Sequence, residues 1–239
     1  KGYTNAPFPT DFTSGRIDTM MTETMKRSER YRVLKRVKKL SDEEILKNFN
    51  TKVKMNVYTM HGNVDTLMTP MDSIRHYKYF LESGFLSMEP QTGFVKAWVG
   101  GIDHKNFKFD HVKKGRRQVG STFKPFVYAT AIDQHKYSPC DEVPNVPVIF
   151  EKEKWGLEED WIPKNSGEKY GGELTLSDAL ANSVNTVTAY LMKRVGPKKV
   201  RRMARQMGLQ GNIPPVPSIC LGTPDVSLYE MVGAYGTFA

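Results

Sequence analysis

Arg117-Gln118-Val119-Gly120-Ser121-Thr122-Phe123-Lys124-Pro125-Phe126 is the stretch on which the reading of this chain turns. It places a hydroxyl and an amine three residues apart at a predicted helix start, on one helical face and within mutual reach. Serine is a weak nucleophile near neutral pH unless a base takes its proton, and lysine serves as that base only with a lowered pKa. A helix N-terminus helps on both counts. Its unpaired N–H groups and positive dipole end favour an oxyanion on Ser121 and disfavour an ammonium on Lys124. Gly120 permits a tight turn, Pro125 is tolerated in a first helical turn, and Phe126, Val127, Ala129, Thr130 and Ile132 continue a helix-compatible run. The same four letters also fit an ordinary N-cap serine followed by a solvated lysine.

A second constellation is Ser183-Val184-Asn185. Upstream, Thr175 and Asp178 fit a capping box that opens a short helix, and a further helix is expected from Thr186 to about Arg194, stopped by Gly196-Pro197. Ser183 and Asn185 are therefore expected on a connection between helices. From there a hydroxyl and an amide project into a cleft, the hydroxyl to relay a proton and the amide to hold a substrate amide. A second helix cap is the plain alternative.

The chain from about Phe85 to Ala239 resembles the transpeptidase domain of class A, bifunctional penicillin-binding proteins. The resemblance is carried by Glu89-Pro90-Gln91-Thr92-Gly93, Ala97-Trp98-Val99-Gly100-Gly101, the stretch from Arg117 to Phe126, Trp161-Ile162-Pro163-Lys164-Asn165, Ala179-Leu180-Ala181-Asn182-Ser183-Val184-Asn185 and Leu221-Gly222, in the family's order and approximate spacing. The Ser-x-x-Lys motif is shared among penicillin-interacting enzymes. Val119 stands where many relatives carry proline, a difference of loop stiffness. The family's third motif, Lys-Thr/Ser-Gly on a strand lining the site, occurs nowhere in these residues. In the family that strand binds the substrate carboxylate and supplies an oxyanion-hole N–H. Loss of one such donor costs about 10²- to 10³-fold in rate, so residues 1–239 alone are expected to be nearly inactive.

The fold implied is α+β, a penicillin-binding protein and serine β-lactamase-like transpeptidase fold of helices packed on an antiparallel sheet. Its C-terminal strands are missing, and a smaller linker region over residues 1–83 precedes a transpeptidase portion over residues 84–239. Phe85 to Glu89 and Phe94 to Gly100 around Pro90-Gln91-Thr92-Gly93 read as a hairpin, in the family the first two of five strands. An exposed sheet edge is therefore expected. A loop from Ile102 to Val119 leads to the nucleophile. A helix from Pro197 to Met207, a Pro-rich loop from Ile213 to Pro217 and a last helix at the capping box Ser227-Leu228-Tyr229-Glu230 follow.

The linker region opens with a Pro- and Thr-bearing segment and a basic helix from about Ile17 to Lys39. A helix at the capping box Ser41-Asp42-Glu43-Glu44 ends near Asn48. A hairpin turns at His61-Gly62-Asn63, and a helix from Met71 to Ser83 is closed by Gly84. Its expected role is spacing or partner docking.

The chain has 239 residues, is 39% hydrophobic and carries a net charge of +9. Basic clusters lie at Lys26 to Lys39, Lys105 to Arg117 and Lys193 to Arg205. Tyr31, Leu34, Val37 and Leu40, and Val200, Met203, Ala204 and Met207, recur at helical spacing, which marks amphipathic helices with solvated charge rather than a nucleic-acid site. An anionic membrane surface or acidic wall polymer suits the charge better. No bilayer-length apolar run occurs in the sequence, and the opening residues Lys1 to Pro7 are not expected to be a signal peptide. Two cysteines and five scattered histidines have no metal-ligand spacing, so no metal and no cofactor is expected.

By resemblance, the partners are peptidoglycan stem peptides and β-lactam antibiotics. The place of action is the extracytoplasmic face of the bacterial cytoplasmic membrane, with a membrane anchor and a glycosyltransferase domain ahead of Lys1 in the native protein. There a disulfide survives, and the sequence leaves pairing of Cys140 with Cys220 open. The implied catalytic residues are Ser121 as nucleophile, Lys124 as base, Ser183 as proton relay and Asn185 as orienting amide. Trp161 and Asn165 border the cleft, a packing role for Trp161 standing equally open. A class D-like serine β-lactamase and a non-catalytic cell-wall-binding or structural module are the alternatives.

Overall fold

The computed structural model describes residues 14–239, so the Pro- and Thr-bearing opening segment lies outside the described residues. The chain divides into two compact units, Lys1–Glu82 and Ser83–Ala239.

In the first unit, α1 (Ser14–Arg27) and α2 (Glu29–Arg36) replace the single basic helix expected up to Lys39. Ser28 makes the break. Its hydroxyl donates to the Met25 carbonyl at 2.6 Å and accepts from the Tyr31 N–H at 3.2 Å, so it caps a new helix instead of continuing the old one. Because α2 stops at Arg36, Val37 leaves the expected apolar face and is 74% exposed. The Ser41–Glu44 capping box opens α3 (Asp42–Phe49). β1 (Val53–Thr59) pairs antiparallel with β2 (Gly62–Met68) with Thr59 opposite Gly62, so Met60-His61 makes the turn rather than His61-Gly62-Asn63. α4 (Pro70–Lys78) ends well short of Ser83. There the chain leaves the helix to set the Phe80 ring against Tyr58 and His76, each 5.2 Å between centroids. Met25, Leu34, Ile45 and Phe49 form this unit's core.

The second unit opens with the antiparallel hairpin of β3 (Phe85–Met88) and β4 (Val95–Val99). Gly84 serves a close approach rather than a helix end: a Cβ there would lie 3.2 Å from the His111 backbone. β5 (Arg116–Gln118) lies inside what the sequence offers only as a loop. In chain order follow α5 (Lys124–His135), β6 (Glu142–Pro144), α6 (Lys152–Trp155), β7 (Glu173–Thr175), α7 (Leu176–Ala181), α8 (Asn185–Val195), α9 (Pro197–Gln206), β8 (Asp225–Ser227) and α10 (Leu228–Tyr235). At α7 only half the expected capping box forms. Thr175 accepts from the Asp178 N–H, while the Asp178 carboxylate takes the Thr175 hydroxyl rather than its backbone. β5 pairs with β8 and β6 with β7, both antiparallel. Among the described residues no third strand joins β3 and β4, and Phe85 and Val99 are exposed on that hairpin. The class is α+β, helices packed with antiparallel strand pairs.

α5 is the central element. Phe126, Val127 and Ala131 from α5, Val187, Leu191 and Met192 from α8, and Val200 and Ala204 from α9 are all fully buried in one core. A helix buried on most of its circumference is held by packing rather than by propensity, and truncating Phe126 to alanine costs about 3–5 kcal/mol. Of the basic residues, Arg116 pairs with the mostly buried Glu230 at 3.0 Å and Lys193 with Glu151 at 3.2 Å. Both cysteines are free, Cys140 exposed and Cys220 buried.

Candidate active site

The Ser-x-x-Lys segment is not a simple α-helix start. Gly120–Phe123 forms a 3-10 turn, and α5 begins only at Lys124. In a 3-10 turn residues i and i+3 eclipse, which keeps Ser121 and Lys124 on one side. Four bonds hold the turn. Thr122 Oγ1 donates to the Val119 carbonyl at 2.7 Å, and the Tyr235 hydroxyl donates to the Thr122 carbonyl at 2.7 Å. The Gly120 N–H reaches the Gly222 carbonyl at 2.9 Å and the Val119 N–H reaches that of Pro224 at 3.2 Å. Gly222 has φ +76°, and a Cβ on it would lie 1.8 Å from the Gly120 carbonyl oxygen. Only glycine tolerates both demands, which supplies a physical reason for the Leu221-Gly222 block.

Lys124 is 1% exposed, and its amine is satisfied by the second constellation. It donates to Ser183 Oγ at 2.9 Å, to the Ser183 carbonyl, and to Asn185 Oδ1 at 2.6 Å. Ser183 adopts φ +53°, a left-handed conformation that costs a non-glycine residue about 1–2 kcal/mol. The kink aims its carbonyl and hydroxyl at one amine. Asn185 does not sit in the connection as expected: it is the first residue of α8, and its Nδ2 donates to the Lys164 carbonyl at 2.7 Å.

Burial lowers the Lys124 pKa to about 8. A Cys220 thiolate nearby would oppose this shift, yet burial pushes that thiol up to about 12. The thiol is therefore neutral wherever Lys124 titrates, and it does not hold the ammonium charged. Once deprotonated, the amine keeps two N–H donors for the Ser183 and Asn185 oxygens and gains a lone pair that can take a proton.

The structure thus brings Lys124, Ser183 and Asn185 into direct contact. Ser121 is exposed, and its hydroxyl makes no hydrogen bond to the Lys124 amine. Such contacts are commonly long before substrate binds. Trp161 packs: its ring lies 5.2 Å from that of Phe150, with which it also exchanges backbone hydrogen bonds. Asn165 sits behind Asn185, bonded to the first N–H groups of α8. Sequence reasoning missed Tyr235 and the Gly120–Gly222 contact, because neither carries a local signal.

Comparison with known proteins identifies the domains that carry these elements. The penicillin-binding protein middle domain matches residues 3–81, and the penicillin-binding protein transpeptidase domain matches residues 84–215. The chain is 33% identical over 221 residues to penicillin-binding protein 1A of Aquifex aeolicus, covering 86% of this chain and 30% of that protein. It is 30% identical over 159 residues to penicillin-binding protein 1A of Pseudomonas aeruginosa, covering 66% and 19%. The crystal structure of penicillin-binding protein 1A from Haemophilus influenzae superposes with a TM-score of 0.60 at 23% identity, covering 77% of this chain and 26% of that one. PonA1 of Mycobacterium tuberculosis gives a TM-score of 0.55 at 19% identity, covering 90% and 56%. The chain spans less than a third of the length of these curated relatives. With a matched transpeptidase domain over more than half its residues, the chain belongs to the penicillin-binding protein transpeptidase family, in its class A branch.

Proposed function

We propose that this chain carries serine acyl-transfer machinery of a peptidoglycan D,D-transpeptidase, with Ser121 as nucleophile. The observation that carries the reading is the buried Lys124 amine, held by Ser183 and Asn185 and titrating near 8, one turn from an exposed serine hydroxyl. As a free base Lys124 takes the Ser121 proton, and the Ser121 oxygen attacks the penultimate D-Ala carbonyl of a stem peptide. The tetrahedral oxyanion collapses by breaking the amide bond to the terminal D-Ala. That leaving amine receives its proton through the Ser183 hydroxyl, which touches Lys124. A neighbouring stem's amine then attacks the Ser121 ester, forms the cross-link and returns the proton to the serine oxygen. Asn185 orients the lysine throughout. A β-lactam enters the same path and stays on Ser121, because its ring-opened acyl group blocks the acceptor.

Peptidoglycan stem peptides and β-lactams are the proposed partners, and the work is extracytoplasmic, on a protein anchored to the membrane by a segment other than these residues. Among the described residues no helix is long and apolar enough to cross a membrane. Incubating the intact protein with a fluorescent penicillin and mapping the adduct tests the reading. A stable label on Ser121 is expected. An unlabelled Ser121 refutes it, and rapid release of the label points to a β-lactamase instead.

A further inference from the structure

We propose that Asn165 is a positioning residue for this acyl-transfer machinery, acting through Asn185 and locked in place by Asn145; the inference rests on the reading just given. The need for it lies in the start of α8. The N-cap there is Val184, which has no side-chain acceptor, so the helix lacks the local cap that serine, threonine, aspartate or asparagine supplies. Asn165 supplies it from a distant loop. Its Oδ1 accepts from the backbone N–H groups of Asn185 and Thr186, both at 3.0 Å. Two N–H donors on one atom define which end of the amide is oxygen, and the other end agrees. Asn165 Nδ2 donates to Asn145 Oδ1 and to the Lys169 carbonyl, both at 2.9 Å.

The lock is itself buried. Asn145 is 9% exposed and Thr186 fully buried, and the Thr186 hydroxyl donates to Asn145 Oδ1 at 2.6 Å. The Asn145 backbone is pinned in turn, its N–H to the Gly172 carbonyl at 3.0 Å and its carbonyl by the Gly171 N–H at 2.8 Å. Asn185 is thereby gripped at three points: its backbone N–H by Asn165, its Nδ2 by the Lys164 carbonyl, and its Oδ1 by the Lys124 amine. Release of the first grip lets the start of α8 shift and admits water to an amine that is otherwise buried. Lys124 then regains hydration, its pKa climbs toward that of an ordinary lysine, and less free base is present at neutral pH.

The test is the second-order rate of Ser121 acylation by a fluorescent penicillin, measured from pH 6 to 10 on the intact protein as wild type, Asn165→Ala and Asn145→Ala. Asn165→Ala is expected to slow labelling at pH 7 by about 100-fold, the scale of an ångström-level misplacement. Its rising limb is expected to shift from a midpoint near 8 toward 10. Asn145→Ala shifts it the same way by less, because Asn165 keeps its bond to Lys169. A purely structural role lowers the folded fraction without moving that midpoint. An unchanged midpoint in Asn165→Ala overturns the proposal. If that variant does not fold, an unchanged midpoint in Asn145→Ala overturns it equally. A wild type that takes no label at Ser121 sinks the acyl-transfer reading itself, an outcome distinct from either.

Discussion

Replacing Gly222 by alanine tests whether the nucleophile turn is held by backbone-to-backbone contact. The added Cβ would sit 1.8 Å from the Gly120 carbonyl oxygen, 2.4 Å from its carbon and 2.5 Å from its nitrogen. All three are backbone atoms, so no side chain can swing aside, and the two segments must part by more than about 1 Å to reach ordinary contact. The left-handed φ of +76° adds about 1–2 kcal/mol for any L side chain. With about 1–3 kcal/mol for overpacking, the expected destabilisation is about 2–5 kcal/mol. Gly120→Ala is the internal control. Gly120 also has positive φ, +56°, but a Cβ there meets nothing within 4 Å, so only the conformational cost of about 1–2 kcal/mol applies. Urea denaturation of both variants gives the comparison. Parting the segments also breaks the bond from the Gly120 N–H to the Gly222 carbonyl, so acylation of Ser121 should fall by about 100-fold in Gly222→Ala. A Gly222→Ala variant no less stable than Gly120→Ala would refute the reasoning.

The wild-type acylation rate is expected to rise about tenfold per pH unit below 8 and to level off near pH 9, since the Lys124 free-base fraction follows a pKa of about 8. A flat profile from pH 6 to 9 contradicts Lys124 as the base. Stability follows the same group with a definite sign. Because the folded-state pKa lies below the ordinary 10.5, the unfolded chain binds the extra proton between those values, and stability rises with pH from about 8 to 10.5. The gain is about 3 kcal/mol at most and should be absent in Lys124→Met, so the stability difference between wild type and that variant should change by this amount across the window, read by denaturation at several pH values. Tyr235→Phe removes the hydroxyl that donates to the Thr122 carbonyl at 2.7 Å. It should cost about 1 kcal/mol and slow acylation without moving the pH midpoint, and a shifted midpoint would assign Tyr235 an electrostatic role instead.

Local chemistry was legible wherever a few consecutive residues decide the outcome. The capping boxes at Ser41 and Ser227 start helices where their spacing places them. The hairpin around Pro90-Gln91-Thr92-Gly93 forms, and the helix from Pro197 ends at Gln206, one residue short of expectation. Breaks were harder. Nothing in the pattern of Ile17 to Lys39 distinguishes a mid-helix serine from one that takes two backbone partners and starts a new helix, as Ser28 does. α4 ends at Lys78 rather than near Ser83 because Phe80 is drawn to Tyr58 and His76 by packing, which outweighs the glycine signal farther on.

By itself the sequence determined the chemistry available: a serine and a lysine one turn apart, a Ser-x-Asn to meet them, and glycines where the backbone has to bend. Tertiary structure alone decided what those groups do to each other. Burial by distant segments brings the lysine near neutrality, a left-handed Ser183 turns two oxygens onto one amine, and an asparagine twenty positions upstream caps the helix carrying Asn185. Desolvation and hydrogen-bond geometry depend on which atoms surround a group in space, and that neighbourhood exists only once the core around α5 has closed.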